Sequence, residues 1–124
     1  MNKKILIVDD NTDLNKVLQI SLNESYDTIS AINGEDAVDL AVTEVPDLII
    51  MDLVEYEVDS LEAIPLIRQN PKTCSIPIIA ITAGLHDTIE HGDVSIDFDD
   101  YIAMPFLDED LFPSIEKLLK PDSV

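Results

Sequence analysis

The sequence predicts a doubly wound α/β domain, with a parallel five-stranded sheet and helices on both faces. Two observations predict it. Short apolar runs rich in branched residues recur along the chain, each bounded by Pro or charge, as strands buried on both faces are. Between them lie longer stretches with apolar residues at helical spacing. That regular β-α alternation implies parallel strands joined by right-handed crossovers.

The elements follow in order. Lys3 to Val8 (KKILIV) is the first strand and ends at Asp9-Asp10. Asn11 to Asn23 places Leu14, Val17, Leu18 and Leu22 on one helical face, with Asn11 or Thr12 as N-cap. Tyr26 to Ile32 is a more polar strand, which suits a sheet edge. Asn33-Gly34 signals a turn, and Glu35 to Glu44 forms a second helix around Ala37, Val38, Leu40 and Ala41. Pro46 to Asp52 (PDLIIMD) is the central strand. A polar loop, Leu53 to Ser60, leads to a helix from about Leu61 to Asn70, with Leu61, Ile64 and Ile67 inward. Pro is harmless only in a first turn, so Pro65 predicts that this helix starts late, near Glu62, or is kinked. Ile76 to Ile81 is the fourth strand and stops at Thr82. Gly84 to Asp97 reads as a short or frayed helix, because β-branched residues and Gly92 interrupt it. Asp100 to Met104 is the fifth strand. Asp110 to Lys120 is the last helix, with Leu111, Ile115, Leu118 and Leu119 inward and Pro113 in its first turn.

A chain of 124 residues with 46% apolar content is expected to form one domain, 1–124, with a sizeable core. Seven Lys and Arg against 26 Asp and Glu give a formal charge of −19. Nucleic acid and anionic membranes need a basic footprint, so neither is expected as a partner. Cations or a basic protein surface fit better, although most of the charge reads as a solvated shell. One cysteine, Cys74, allows no internal disulfide and suits the cytoplasm. Met1 to Lys4 lead straight into a strand, too short a run for a signal peptide. No apolar run reaches membrane-spanning length. The chain stops just after the expected last helix, which leaves a stand-alone protein and a piece of a larger one equally open.

In such a sheet the strand order 2-1-3-4-5 places the first and third strands side by side, and ligands bind outside the carboxyl ends. Asp9, Asp10 and Asp52 then meet. Two carboxylates about 4 Å apart repel by on the order of 4 kcal/mol at an effective dielectric near 20. The cluster must raise a pKa or take up a cation. All-oxygen donors with room for water suit Mg²⁺. With that charge neutralised, Asp52 could attack an electrophilic phosphorus. Thr82 offers a hydroxyl to a phosphoryl oxygen, but Thr is also simply a good strand residue. A flavodoxin-type cofactor site is disfavoured, because no Gly-rich or Ser/Thr-rich phosphate loop follows the first strand. His86 and His91, five apart, do not stack on one helix face and read as surface residues.

Over its whole length the chain resembles the response-regulator receiver domains of two-component signalling. The matching pieces are ILIVDDN at 5–11, AINGEDAVDLA at 31–41, PDLIIMDL at 46–53, DSLE at 59–62, IPIIAITA at 76–83 and DDYIAMPF at 99–106. The resemblance implies a flavodoxin-like (βα)5 fold of the CheY kind with Asp52 as phosphoacceptor. Asp10 and Asp52 would ligate Mg²⁺ directly, Asp9 through water, and the Val54 backbone carbonyl would add a ligand. Thr82 and Tyr101 would form the switch pair, and Met104-Pro105 would be a cis peptide. The phosphoryl donor would be a sensor histidine kinase or a phosphotransfer protein. A downstream protein would read the face made by the 84–97 stretch, the fifth strand and the last helix, and a homodimer is compatible. The chain would be no enzyme beyond phosphorylating and dephosphorylating itself.

The sequence also departs from the family. Met104 stands where the family has the Lys of Lys-Pro-Phe, removing a charge-assisted contact worth roughly 1.5–3 kcal/mol. Glu55-Tyr56 replaces the usual Met-Pro after the phosphoacceptor, and Ser60 replaces a Gly. Two functions are therefore expected to compete: a phosphoacceptor switch with altered signalling, and a degenerate receiver that docks or dimerises without phosphorylation.

Overall fold

The structure is a computed structural model that describes residues 3–9, 12–52, 58–82, 98–103 and 108–119. Its elements are β1 (Lys4–Val8), α1 (Thr12–Leu22), β2 (Asp27–Ala31), α2 (Gly34–Glu44), β3 (Leu48–Asp52), α3 (Val58–Gln69), β4 (Ile78–Thr82), β5 (Asp100–Ala103) and α4 (Asp108–Leu119). The strands form one sheet in the order β2-β1-β3-β4-β5, every pair parallel. This is the doubly wound α/β fold that the sequence predicts.

Side chains alternate across a strand, so β1, β3 and β4 each feed two cores. Leu6, Val8, Ile49, Met51, Ile78 and Ala80 pack on one face with Ala37 and Ala41 of α2 and Ala63, Ile64 and Ile67 of α3. Ile5, Ile7, Leu48, Ile50, Ile79, Ile81 and Ile102 pack on the other with Leu18 and Leu22 of α1 and Leu111 and Ile115 of α4. Continuous branched runs in β1, β3 and β4 are thus the sequence trace of strands covered on both sides. β2 is an edge strand and correspondingly half-exposed, as its polar composition requires.

Three helices depart from expectation. In α1, Val17 is 56% exposed instead of inward. Leu18 and Leu22 define the buried seam, and at 100° per residue Val17 falls outside it, while Asn15 lies within. α3 begins at Val58, not near Glu62, so Pro65 is interior rather than in the first turn. It is tolerated because its ring faces solvent while Ala63, Ile64 and Ile67 hold the opposite side in the core. The lost backbone bond is set against that burial. α4 likewise starts at Asp108, which carries the exposed Pro113 past the first turn.

Local chemistry closes the elements. Asn33, at φ −151° and ψ 174°, caps α2 by accepting the Asp36 N–H at 2.8 Å. Val45 ends the same helix in the left-handed region, at φ 44° and ψ 66°. At the amino ends of β4 and β5, Arg68 donates to the Ile76 carbonyl at 2.6 Å and the Cys74 carbonyl at 3.1 Å, and pairs with Asp99 at 2.8 Å. The second Asp99 bond, from the Ile78 N–H at 2.8 Å, ties the start of β4 to the chain entering β5.

The helix expected over 84–97 lies outside the described residues. No helix among the described residues is long and apolar enough to cross a membrane.

Candidate functional site

Because all strands run the same way, their carboxyl ends share one rim. The register pairs Val8 with Met51, so the residues that follow, Asp9 and Asp52, stand level on neighbouring strands. The Asp9 N–H donates to the Ala31 carbonyl at 3.0 Å, which extends the β1-β2 ladder by one residue and holds Asp9 in extended geometry. Met51 and Val8 belong to the α2-α3 core, so strand alternation turns Asp9 and Asp52 to the opposite side, toward α1 and α4. Both are buried, Asp9 at 2% exposure and Asp52 at 8%. Two carboxylates withdrawn from water side by side are an electrostatic cost that a fold carries only where charge is used or compensated.

The backbone of Thr82 reaches the same rim, one residue beyond Ile81, which pairs with Asp52. Tyr101 does not share that level. It pairs with Ala80, two residues back from Thr82, and is 36% exposed on the outer strand. Its ring meets Phe98 edge-on, with centroids 6.0 Å apart at 68°. Asp10, Val54, Met104 and the Met104-Pro105 peptide lie outside the described residues. Among the described residues, no group of three or more His, Cys, Asp or Glu stands close enough to hold a metal ion. The described donor set is hard and anionic, two buried carboxylates on one side of the sheet, and Mg²⁺ takes one or two such groups together with water and phosphate oxygens. These residues fit that ion.

Three ion pairs among the described residues lie at the opposite end of the strands. Lys4 meets Glu44 at 2.9 Å, Arg68 meets Asp99 at 2.8 Å and Lys117 meets Asp100 at 3.1 Å, each involving an amino-terminal strand residue or its neighbour.

Sequence reading missed the cluster that joins β5 to α4. Asp100 accepts from the buried Ser114 hydroxyl at 2.5 Å, from Lys117 at 3.1 Å and from the Tyr101 N–H at 2.8 Å. Burial alone would raise the Asp100 pKa; the Ser114, Lys117 and Tyr101 hydrogen bonds and the Lys117 charge outweigh it and hold the carboxyl below its usual range. Sequence carries one faint signal for this, Ser114 and Lys117 three apart on one helix face. Nothing local says that Asp100 faces them.

The comparisons with known proteins agree with this geometry. Residues 5–116 match the family model of the response regulator receiver domain. The alkaline phosphatase synthesis transcriptional regulatory protein PhoP of Bacillus subtilis (strain 168) is 34% identical over 125 aligned positions, which cover 100% of this chain and 51% of that protein. The chain thus spans about half the length of that curated relative. The receiver domain of the sensor histidine kinase PA1611 from Pseudomonas aeruginosa PAO1 superposes with a TM-score of 0.87 at 26% identity, covering 98% of this chain and 100% of that one. That structure holds a magnesium ion in its active site cleft. The chemotaxis response regulator CheY4 of Vibrio cholerae shares the fold, with a TM-score of 0.84 at 21% identity over 96% of this chain and 100% of that one. Receiver domains are signalling domains rather than enzymes of the usual kind. A parallel sheet ordered 2-1-3-4-5, a buried pair of aspartates at its switch point and a family match over nearly all its length lead to one assignment: the chain belongs to the response-regulator receiver domains of two-component signalling.

Proposed function

We propose that this domain accepts a phosphoryl group on Asp52 from a sensor histidine kinase or a phosphotransfer protein, in the cytoplasm, and passes the signal to a protein partner. The observation that carries this reading is the placement of Asp9 and Asp52, both buried, level on neighbouring strands and turned to one side. A bound Mg²⁺ would neutralise charge on the phosphoryl oxygens; Asp9, Asp52 and, from the sequence, Asp10 and the Val54 carbonyl would hold it. An Asp52 carboxylate oxygen attacks the phosphorus of a phosphohistidine. The P–O bond forms as the P–N bond breaks, and the imidazole leaves with the electron pair. Thr82 donates its hydroxyl to a phosphoryl oxygen. Tyr101, on the exposed edge strand, changes the face presented to the partner.

The test is acetyl phosphate with Mg²⁺ followed by intact-mass measurement. Wild type should gain one acid-labile phosphoryl group, and Asp52→Asn should gain none. No mass change in wild type over hours would reject the reading.

One sequence feature favours a second reading, a domain that docks or dimerises without phosphorylation: Met104 occupies the position of the family's Lys. In that case Mg²⁺ still binds the aspartates, but beryllofluoride leaves partner affinity unchanged.

A further inference from the structure

Phe98 lies two residues before β5, and its partly buried ring packs against the core under α2 and α3. The same ring meets Tyr101 edge-on. We propose that Phe98 is a positioning residue for the switch. Its ring holds Tyr101 in one rotamer and so sets how strongly a signal must act to move it. This rests on the reading of Tyr101 as the switch residue and names what regulates it.

Three observations carry it. First, the rings share a side of the sheet. Ile102 belongs to the core under α1 and α4, so strand alternation turns Tyr101 to the other face, where Phe98 packs. Second, both backbones are pinned. Beside Phe98, the Asp99 N–H donates to the Ile78 carbonyl at 2.8 Å. The Asp99 carboxylate accepts from the Ile78 N–H and from Arg68, each at 2.8 Å. The Tyr101 N–H donates to Asp100, which Ser114 and Lys117 tie to α4. With Phe98 seated in the core, the pair separates by rotation of the Tyr101 side chain, 36% exposed.

Third, the contact is directional. A centroid distance of 6.0 Å and an interplanar angle of 68° fall in the favoured edge-to-face range. Ile29, Val38 and Leu40 fill the margin of the same core with aliphatic side chains. An aromatic ring at 98 adds to such filling a contact that shifts an equilibrium by about twofold to tenfold. A signal that favours the moved ring works against that ratio, and its apparent affinity falls with the competent fraction.

The test uses the full chain, ¹³C,¹⁵N-labelled, with the Tyr101 rotamer read from three-bond couplings by NMR without ligand. Wild type should show one dominant rotamer. Phe98→Leu, which fills the core without the ring, should show averaging between rotamers, and Phe98→Tyr should keep one. Leu40→Ala trims the same core on α2, which packs over β1 and β2. It should lower stability and leave the couplings unchanged. With Mg²⁺ present, beryllofluoride should reach its half-maximal effect on the Tyr101 amide at about threefold to tenfold lower concentration in Phe98→Leu. A single rotamer in Phe98→Leu, averaging in wild type, or equal averaging in Leu40→Ala would overturn the proposal. So would a beryllofluoride midpoint that Phe98→Leu leaves unchanged. Phosphorylation by acetyl phosphate is read by mass on the same samples. Averaging in Phe98→Leu without any phosphoryl gain rejects only the phosphoacceptor reading. Phosphoryl gain with the rotamer unchanged rejects only this one.

Discussion

Replacing Asp52 by Asn should stabilise the metal-free protein and abolish its response to Mg²⁺. Asp9 and Asp52 are 2% and 8% exposed and stand level on neighbouring strands. Neighbouring strands are about 4.8 Å apart. At that spacing and an effective dielectric near 20, two like charges repel by on the order of 3 kcal/mol. The pair relaxes by rotamer adjustment and water entry, so about 1–2 kcal/mol of that repulsion should return as stability in Asp52→Asn. Mg²⁺ at tenfold its dissociation constant should stabilise wild type by about 1.4 kcal/mol. Asp52→Asn would lose one direct ligand and one of three carboxylate charges, and its increment should fall below about 0.5 kcal/mol. Urea unfolding followed by circular dichroism measures all four states, with NaCl matched in ionic strength as the control. If Asp52→Asn is less stable than wild type without metal, and Mg²⁺ stabilises both equally, the two carboxylates do not share a site.

The other predictions concern the departures and the fold. Met104→Lys should raise the rate of phosphorylation by acetyl phosphate at least about tenfold, the equivalent of one recovered charge-assisted contact in the transition state; an unchanged rate would mean that the missing Lys does not limit phosphorylation, with Glu55 the next residue to change. Val45→Asn should raise stability by about 0.5–1 kcal/mol, because a β-branched residue at φ 44° carries strain that Asn tolerates; a lower urea midpoint would refute it. Ser114→Ala should cost about 1 kcal/mol through the lost bond to Asp100, and a double-mutant cycle with Asp100→Asn should recover that coupling. Asp100 has a lowered pKa in the fold, so its contribution is present above the unfolded carboxylate value near 3.9 and is lost as pH falls through the folded value. The stability difference between wild type and Asp100→Asn should therefore shrink on acidification below about pH 4 and stay flat above about pH 5.

Particular residues show where sequence reading succeeds. The runs ILIV, LIIM and IIAI announce strands covered on both faces because only a doubly packed sheet buries consecutive branched side chains. Given the 2-1-3-4-5 order expected of a doubly wound sheet this long, Asp9 and Asp52 are neighbours, since each ends its run. Helix starts were less legible. Pro65 and Pro113 suggest late beginnings by local rules, but burial of Ile64, Ile67, Leu111 and Ile115 outweighs one missing backbone bond in each helix. Val17 matched the apolar pattern of α1 and still faces solvent, because a short helix shows the sheet only one narrow seam.

The sequence by itself determined the strands and the acidic residues that end them, because these are written in local periodicity and in the residue that closes a run; the strand order came from the general rule for doubly wound sheets. Tertiary structure alone decided that Asp9 and Asp52 turn to the same side. It also decided that Tyr101 sits back from the rim on the last strand of the described sheet, and that Asp100 reaches Ser114 and Lys117 on α4. Those facts depend on the register between strands and on how a helix lies across them. Contacts between residues 14 and 17 apart are set by packing, and no local pattern encodes them.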